Sequence, residues 1–329
     1  MKPKVFIATP IPPEVERYIG EHCRSVKWEG EHPISREDLL KMLAENSDIE
    51  GLMLKAHKID RDMLALVPNL KVICNESVGY DNFDIELMKE KGIVGTHTPS
   101  VLDETVADTT FALMFAASRR IVELDRYIRD GKWVDGPEER FYGYDVHGAT
   151  LGIIGMGRIG EAVARRAILG FNMNVLYNNR SPKPDVEAEL GVEYRPLEEL
   201  LEESDFVVLL TPLTPETKHL MGEKEFSLMK KTAVFVNISR GKTVDEKALI
   251  KALQEGKIYA AGLDVFEQEP VDPDNPLLKM DNVVAVPHIG SATAKTHHAM
   301  AALAAENLVL ACTGGKPPTL VKEFILPVK

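Results

Sequence analysis

An α/β protein with parallel sheets in two domains is what this sequence predicts, and three observations carry that expectation. Short apolar runs rich in β-branched residues alternate with longer amphipathic stretches from end to end, which is the rhythm of βαβ units. At 329 residues the chain exceeds the usual size of one core, so two domains are expected. An apolar run at 151–154 leads into Gly-Met-Gly-Arg-Ile-Gly at 155–160 and then into a good helix former at 161–167, a strand-turn-helix pattern suited to phosphate binding.

Taken in order, the first strand is read at 5–8 and is followed by a helix from Pro13 to about His22. Further strands are expected at 51–54, 72–74, 151–154, 174–177, 206–210, 233–236, 259–262 and 283–286. All are short and strongly apolar, as strands covered on both faces must be. The cleanest break in the pattern falls near Pro99-Ser100, after which a long helix runs from Leu102 to about Arg120. The last amphipathic stretch, roughly 291–314, is Ala-rich, has no strand pattern after it, and could join either domain. The tail from Lys322 to Lys329 receives no functional assignment.

Composition narrows the classes of function. With 44% hydrophobic and 27% charged residues, the chain is neither disordered nor fibrous. Thirty-nine basic residues against 51 acidic ones give a formal net charge of −12, a field that repels nucleic acid and anionic membranes. Cys23, Cys74 and Cys312 are too few and too scattered for a disulfide framework or a metal site, so no metal is expected and the thiols are read as reduced. The apolar stretch from Val5 to Ala8 is too short for a signal peptide and the run 111–117 too short for a membrane span, so the expected location is the cytoplasm.

The glycine turn is interpretable residue by residue. Gly155 permits the tight turn, Gly157 lets the backbone approach a pyrophosphate, and Gly160 allows the helix to pack on the strand. The helix start at Arg158 and Ile159 offers N–H groups and a partial positive charge. A dinucleotide cofactor is therefore expected. A site selective for NAD places a carboxylate at the end of the following strand, but this sequence reads Asn179-Arg180-Ser181 there. A guanidinium and a hydroxyl suit a 2′-phosphate, so NADPH is favoured over NADH, with NAD also accommodated.

Polar residues follow the later strands closely: Thr211, Arg240, Asp264, Glu269 and His288. In open α/β sheets, ligands bind outside the carboxyl ends of the strands. Together with the motifs around them (151–160, 210–217, 236–241, 262–270 and 287–293), these residues resemble the D-isomer-specific 2-hydroxyacid dehydrogenase family, over nearly the whole chain. The resemblance implies two Rossmann-like or flavodoxin-like domains, with a cofactor domain at 102–289 inserted into a discontinuous substrate domain at 1–101 and 290–329. It also implies a homodimer formed through the cofactor domain.

Further implications concern individual residues. Arg240 would hold the substrate carboxylate and polarise the carbonyl, His288 would exchange the proton, and Glu269 would orient the imidazole. The loop Ser77-Val78-Gly79 would hold the substrate carboxylate through its amides. Thr105, Thr211 and Pro212 would lie with the cofactor, and Asp264 would meet the nicotinamide carboxamide. The expected reaction is hydride transfer to a small 2-oxo acid, as in the family's glyoxylate and hydroxypyruvate reductases. Reduction of 2-ketogluconate is the alternative substrate reading. A non-enzymatic, cofactor-sensing interaction protein is the alternative of another class. Phosphite is disfavoured because Val78 stands where a phosphite enzyme would carry a lysine. Lys55 is unexpected at the end of its strand, where it either adds a cation for the substrate or lies on the surface.

Overall fold

The computed structural model describes residues 1–30, 33–136 and 139–325; positions 326–329 of the unassigned tail, and of the expected 290–329 segment, lie outside the described residues. The chain divides into two compact units, the first built from residues 1–102 and from 293 onward, the second from residues 103–292. The division thus falls one residue later than expected at the first crossing and three later at the second. Gly290 stays with the second unit because its N–H donates to the Asp264 carboxylate at 3.0 Å.

The first unit holds β1 (Lys4–Ile7), β2 (Arg24–Lys27), β3 (Gly51–Leu54), β4 (Val72–Asn75) and β5 (Val94–Thr96). They pair in parallel in the order 2-1-3-4-5, the flavodoxin-like arrangement. One face is covered by a cluster that includes Phe6, Leu52, Leu54 and Ile73. Side chains of the opposite face, Val5, Ile7, Met53, Val72 and Cys74, pack on Ala301, Ala304, Ala305 and Leu308 of the last helix, Ala294–Thr313. A Cβ on Gly51 would fall 2.7 Å from Cys312 Sγ and from Leu308 Cδ1, so glycine lets this Ala-rich helix close on β3. That contact settles which unit owns the C-terminal helix. All three cysteines are buried thiols of this unit.

The second unit holds β6 (Thr150–Ile154), β7 (Asn174–Asn178), β8 (Glu193–Tyr194), β9 (Phe206–Leu209), β10 (Val234–Asn237), β11 (Ala260–Leu263) and β12 (Val283–Ala285). Every pairing is parallel, in the order 12-11-10-9-6-7-8. The chain reverses direction across the sheet between β6 and β9, as in doubly wound dinucleotide-binding folds. The strands missed in the sequence include β2 and β8, each at one edge of its sheet; neither has a fully buried residue, so no apolar run announces them. Among the described residues no helix is long and apolar enough to cross a membrane, and no group of three or more His, Cys, Asp or Glu could hold a metal ion.

Candidate active site

In the second unit β6 runs into the glycine turn, where Gly155 and Gly160 answer steric demands of the protein itself. Gly155 has φ 106°, and a Cβ there would lie 2.9 Å from the Leu210 carbonyl carbon. A Cβ on Gly160 would fall 2.7 Å from Gly155 O, so the helix Arg158–Phe171 packs against the turn only with glycine at this position. At Gly157 an added Cβ would meet nothing within 4 Å, leaving an open face at the helix start where a pyrophosphate can approach. Thr211 Oγ1, just past β9, is buried and has no hydrogen-bond partner among the described residues. An open glycine face and a buried hydroxyl still to be satisfied, on the two sides of the direction reversal, fit a dinucleotide.

Other expected cofactor residues are partly committed within the protein. The Asn179 carboxamide accepts from Met156 N at 2.8 Å and donates to Met156 O at 3.3 Å, so it ties the end of β7 to the glycine turn. Arg158 Nε pairs with Asp103 Oδ2 at 3.2 Å, leaving its backbone N–H as the group available at the helix start. Arg180 and Ser181 are exposed. The Glu216 carboxyl is held low chiefly by its bond with Thr214, and the Arg180 charge adds to that. Pro212 O accepts from Thr217 Oγ1 at 2.6 Å. Thr105 lies in the first turn of the helix Asp103–Ser118, its carbonyl accepting from Thr109 Oγ1 at 3.2 Å; the same hydroxyl reaches Gly290 O at 3.1 Å.

The residues expected to carry the reaction come from three strand ends. After β10, Asn237 Oδ1 accepts from Ser239 N and Oγ at 3.0 and 2.9 Å, while Asn237 Nδ2 and Thr243 Oγ1 donate to Arg240 O at 3.1 and 2.6 Å. The backbone at Arg240 is thereby fixed, and Arg240 Nη1 donates to Ser239 O at 2.8 Å. A Cβ on Gly241 would fall 1.8 Å from Phe266 O; glycine alone lets the Arg240 loop approach the loop after β11 this closely.

That second loop carries Asp264 and Glu269. Asp264 is 1% exposed, and its carboxylate accepts from Ile289 N at 2.6 Å and Gly290 N at 3.0 Å, while its carbonyl accepts from His288 N at 2.9 Å. Burial pushes the Asp264 carboxyl up, and the two amides and the His288 ring oppose that rise. Asp264 therefore staples the residues that present His288, which itself adopts φ 53°, a conformation that L-residues hold only where the surroundings impose it. His288 Nδ1 stands 2.8 Å from Glu269 Oε2, and Glu269 Oε1 accepts from Phe266 N at 3.1 Å. Burial raises the Glu269 carboxyl, but the His288 bond and charge, the Phe266 amide and the Arg240 charge outweigh it and hold the group below the usual carboxylate range. An ionised Glu269 only accepts, so the proton on Nδ1 is fixed and Nε2 is the nitrogen left to exchange one.

In the first unit, the loop after β4 is held through its carbonyls. Ser77 O accepts from Thr98 N at 2.9 Å, Val78 O meets His97 Nδ1 at 2.8 Å, and Gly79 O accepts from Asn75 Nδ2 at 2.8 Å. With these acceptors engaged, the amides are the polar backbone groups this loop can offer, the donor type a carboxylate requires. Asn237 and Gly241 were not singled out in the sequence, although both sit inside the motif at 236–241 that drew attention to Arg240.

Comparison with known proteins agrees with the geometry. Residues 111–290 match the family described as D-isomer specific 2-hydroxyacid dehydrogenase, NAD binding domain. A glyoxylate reductase of Korarchaeum cryptofilum is 50% identical over 330 residues, covering 100% of this chain and 98% of the relative. A glyoxylate/hydroxypyruvate reductase B of Yersinia pestis is 47% identical, covering 99% of each. The crystal structure of an NADPH-dependent glyoxylate/hydroxypyruvate reductase from Sinorhizobium meliloti, in complex with NADP and malonate, superposes with a TM-score of 0.87 at 34% identity, covering 98% of both chains. A dinucleotide turn, a carboxylate-held histidine and an arginine on neighbouring strand ends thus sit in a chain that belongs to the D-isomer-specific 2-hydroxyacid dehydrogenases, NAD(P)-dependent oxidoreductases that act on small 2-oxo acids.

Proposed function

We propose that this chain is an NADPH-preferring reductase of glyoxylate and hydroxypyruvate, giving the D-2-hydroxy acid where the product is chiral. The observation that carries the reading is the Glu269–His288 pair at 2.8 Å, with the Arg240 charge acting on Glu269, in the unit that matches the NAD-binding family. Full-length likeness to glyoxylate reductases supports the substrate class.

Reduction adds a hydride to C2 and a proton to the carbonyl oxygen. The nicotinamide, when bound, supplies the hydride. His288, protonated at Nδ1 by its bond to Glu269, releases the Nε2 proton of the imidazolium to the forming alkoxide. Glu269 keeps the ring oriented through its contact with Nδ1. Arg240 stabilises the oxyanion and grips the carboxylate with its planar fork. In this reading amides of the Ser77-Val78-Gly79 loop serve a substrate carboxylate, and the first unit, residues 1–102 and from 293 onward, acts as the substrate domain. Asp264 keeps its place in the cofactor site, where it acts first as the staple for 288–290 and also meets the carboxamide, alongside Thr105, Thr211 and Pro212.

NADPH preference rests on Arg180 and Ser181 at the exposed end of β7 and on the NADPH dependence of the S. meliloti enzyme. Oxidation of NADPH and NADH at 340 nm, with glyoxylate and with 2-ketogluconate, tests the cofactor and the substrate together. We expect kcat/KM to favour NADPH, and Arg180→Ala to cut that preference about tenfold or more, since a hydrogen bond to a charged group contributes about 1.5–3 kcal/mol. A wild-type preference for NADH rejects the cofactor reading, and 2-ketogluconate outperforming glyoxylate by more than about tenfold transfers the substrate assignment.

The second unit exposes Ile121, Val122, Ile128, Trp133, Val134, Tyr142 and Tyr144 along one continuous stretch of chain. Exposed apolar side chains at this density suit an interaction surface, and in this reading a second copy covers them in a homodimer. Sedimentation at micromolar concentration checks that assignment. The buried thiols Cys23, Cys74 and Cys312 suit a reducing cytoplasm.

A further inference from the structure

The carboxyl edge of the sheet in the first unit carries polar groups that the reaction above leaves without a task. The strand order 2-1-3-4-5 reverses between β1 and β3, and ligands of open α/β sheets bind at such a reversal. Thr9 lies in the loop after β1, Lys55 directly follows β3, and Glu76 directly follows β4. Glu76 is 0% exposed. Its Oε2 accepts from Thr9 Oγ1 at 3.4 Å. His297 Nδ1, in the first turn of the helix Ala294–Thr313, stands 2.8 Å from Oε1, an ion-pair distance without the alignment of a hydrogen bond. Lys55 is exposed, and its charge also acts on Glu76.

The backbone around this group is built to hold it. Ala56 takes φ 63°, a left-handed conformation that an ordinary residue keeps only where neighbours impose it. The His57 ring spans the carbonyls of Lys55 and Ile34, each at 3.0 Å. His57 O accepts from Asn82 Nδ2 at 2.9 Å, and Asn82 Oδ1 accepts from Asn75 Nδ2 at 3.2 Å; Asn75 in turn holds Gly79 O at 2.8 Å. One hydrogen-bonded chain therefore links the Lys55 turn to the Ser77-Val78-Gly79 loop.

We infer that Lys55 and His297, positioned by the buried Glu76, recognise a hydroxyl on C3 of the 2-oxo acid and make this chain selective for hydroxypyruvate over acids that lack that group. The inference rests on the reading that Ser77-Val78-Gly79 holds the substrate carboxylate. An ammonium and a carboxylate-held imidazole together offer both a donor and an acceptor, which a hydroxyl satisfies. A methyl would leave the polar groups unpaired, the condition under which sites reject isosteres lacking a hydroxyl.

The test compares kcat/KM for hydroxypyruvate, pyruvate and glyoxylate with NADPH in the wild type, Lys55→Met and Glu76→Gln. Hydroxypyruvate should exceed pyruvate at least tenfold in the wild type. Each variant should lower that ratio about tenfold, and should lower hydroxypyruvate turnover far more than glyoxylate turnover. An unchanged ratio in Lys55→Met, whose exposed side chain can be replaced without disturbing the core, overturns the inference. So does an equal loss on all three acids in both variants, because that pattern signals damage to the loop. A wild type that reduces none of the three overturns the proposed function itself, a result distinct from turnover without selectivity.

Discussion

Two Glu–His pairs, one in each unit, share a 2.8 Å separation between a carboxylate oxygen and Nδ1 and differ in almost everything else. Glu269 and His288 have side chains 38% and 48% exposed, and Glu76 is fully buried beside a His297 that is 44% exposed. Glu269 has a backbone amide from Phe266 and the charge of Arg240 to help it stay ionised; burial is the largest influence on Glu76, and His297 and Lys55 only partly offset it. One carboxyl is consequently pushed down and the other up. Distance alone therefore does not define what such a pair does: how far burial outweighs the donors and cations around the carboxyl decides whether it is held below or pushed above its ordinary value.

Substituting the two histidines offers the widest separation. His288→Ala should lose on the order of 10²–10⁴-fold in kcat on glyoxylate while NADPH binding, followed by cofactor fluorescence, stays near wild type. His297→Ala should cost only about tenfold, and chiefly on hydroxypyruvate. Equal losses from the two would dissolve the distinction drawn above.

Gly241→Ala probes how the first pair is assembled. A Cβ placed 1.8 Å from Phe266 O must drive the Arg240 loop from the loop bearing Glu269. Overpacking of this kind costs about 1–3 kcal/mol, or a melting temperature lower by about 2–4 °C per kcal/mol in a chain of this size class. Turnover should fall with it, and wild-type kcat together with unchanged melting would show that the two loops need not approach.

The smallest effect is also the most direct test of the contrast, because its sign differs between the pairs. A carboxyl lowered on folding stabilises the protein above its unfolded pKa, and that contribution is lost as pH falls through the folded value. A carboxyl raised on folding contributes below the unfolded pKa, and its contribution is lost as pH rises through the folded value. Relative to wild type, Glu269→Gln should thus melt lower near neutral pH and converge with it in acid. Glu76→Gln should gain on wild type as pH rises from about 4 toward neutrality, with His297 and Lys55 as the charged neighbours whose influence is removed. Thermal melts from pH 4 to 8 decide the matter, and parallel curves for the two variants would mean that burial does not separate them.

Much of the second unit was readable because its chemistry is local in sequence. Gly155, Gly157 and Gly160 lie within six residues of one another after an apolar strand, and Arg240, Glu269 and His288 each closely follow such a strand. Strand ends are where backbone geometry and apolar patterning coincide, so a linear reading finds them. The polar edge strands β2 and β8 escaped for the converse reason, since a strand with one side open to water shows no apolar run.

Sequence by itself determined the parallel α/β architecture and the glycine turn, and singled out Arg240, Glu269 and His288 as candidates, because spacing, propensity and charge type are properties of contiguous residues. Only the tertiary structure decided that the Asn179 carboxamide is spent on Met156, that Asp264 staples the backbone at 289–290, that the last helix closes on β3 over Gly51, and that Glu76 is sealed from water beside His297. Each of these joins residues distant in the chain, and the desolvation of a carboxylate or the engagement of an amide depends on what the fold packs around it, which no local pattern encodes.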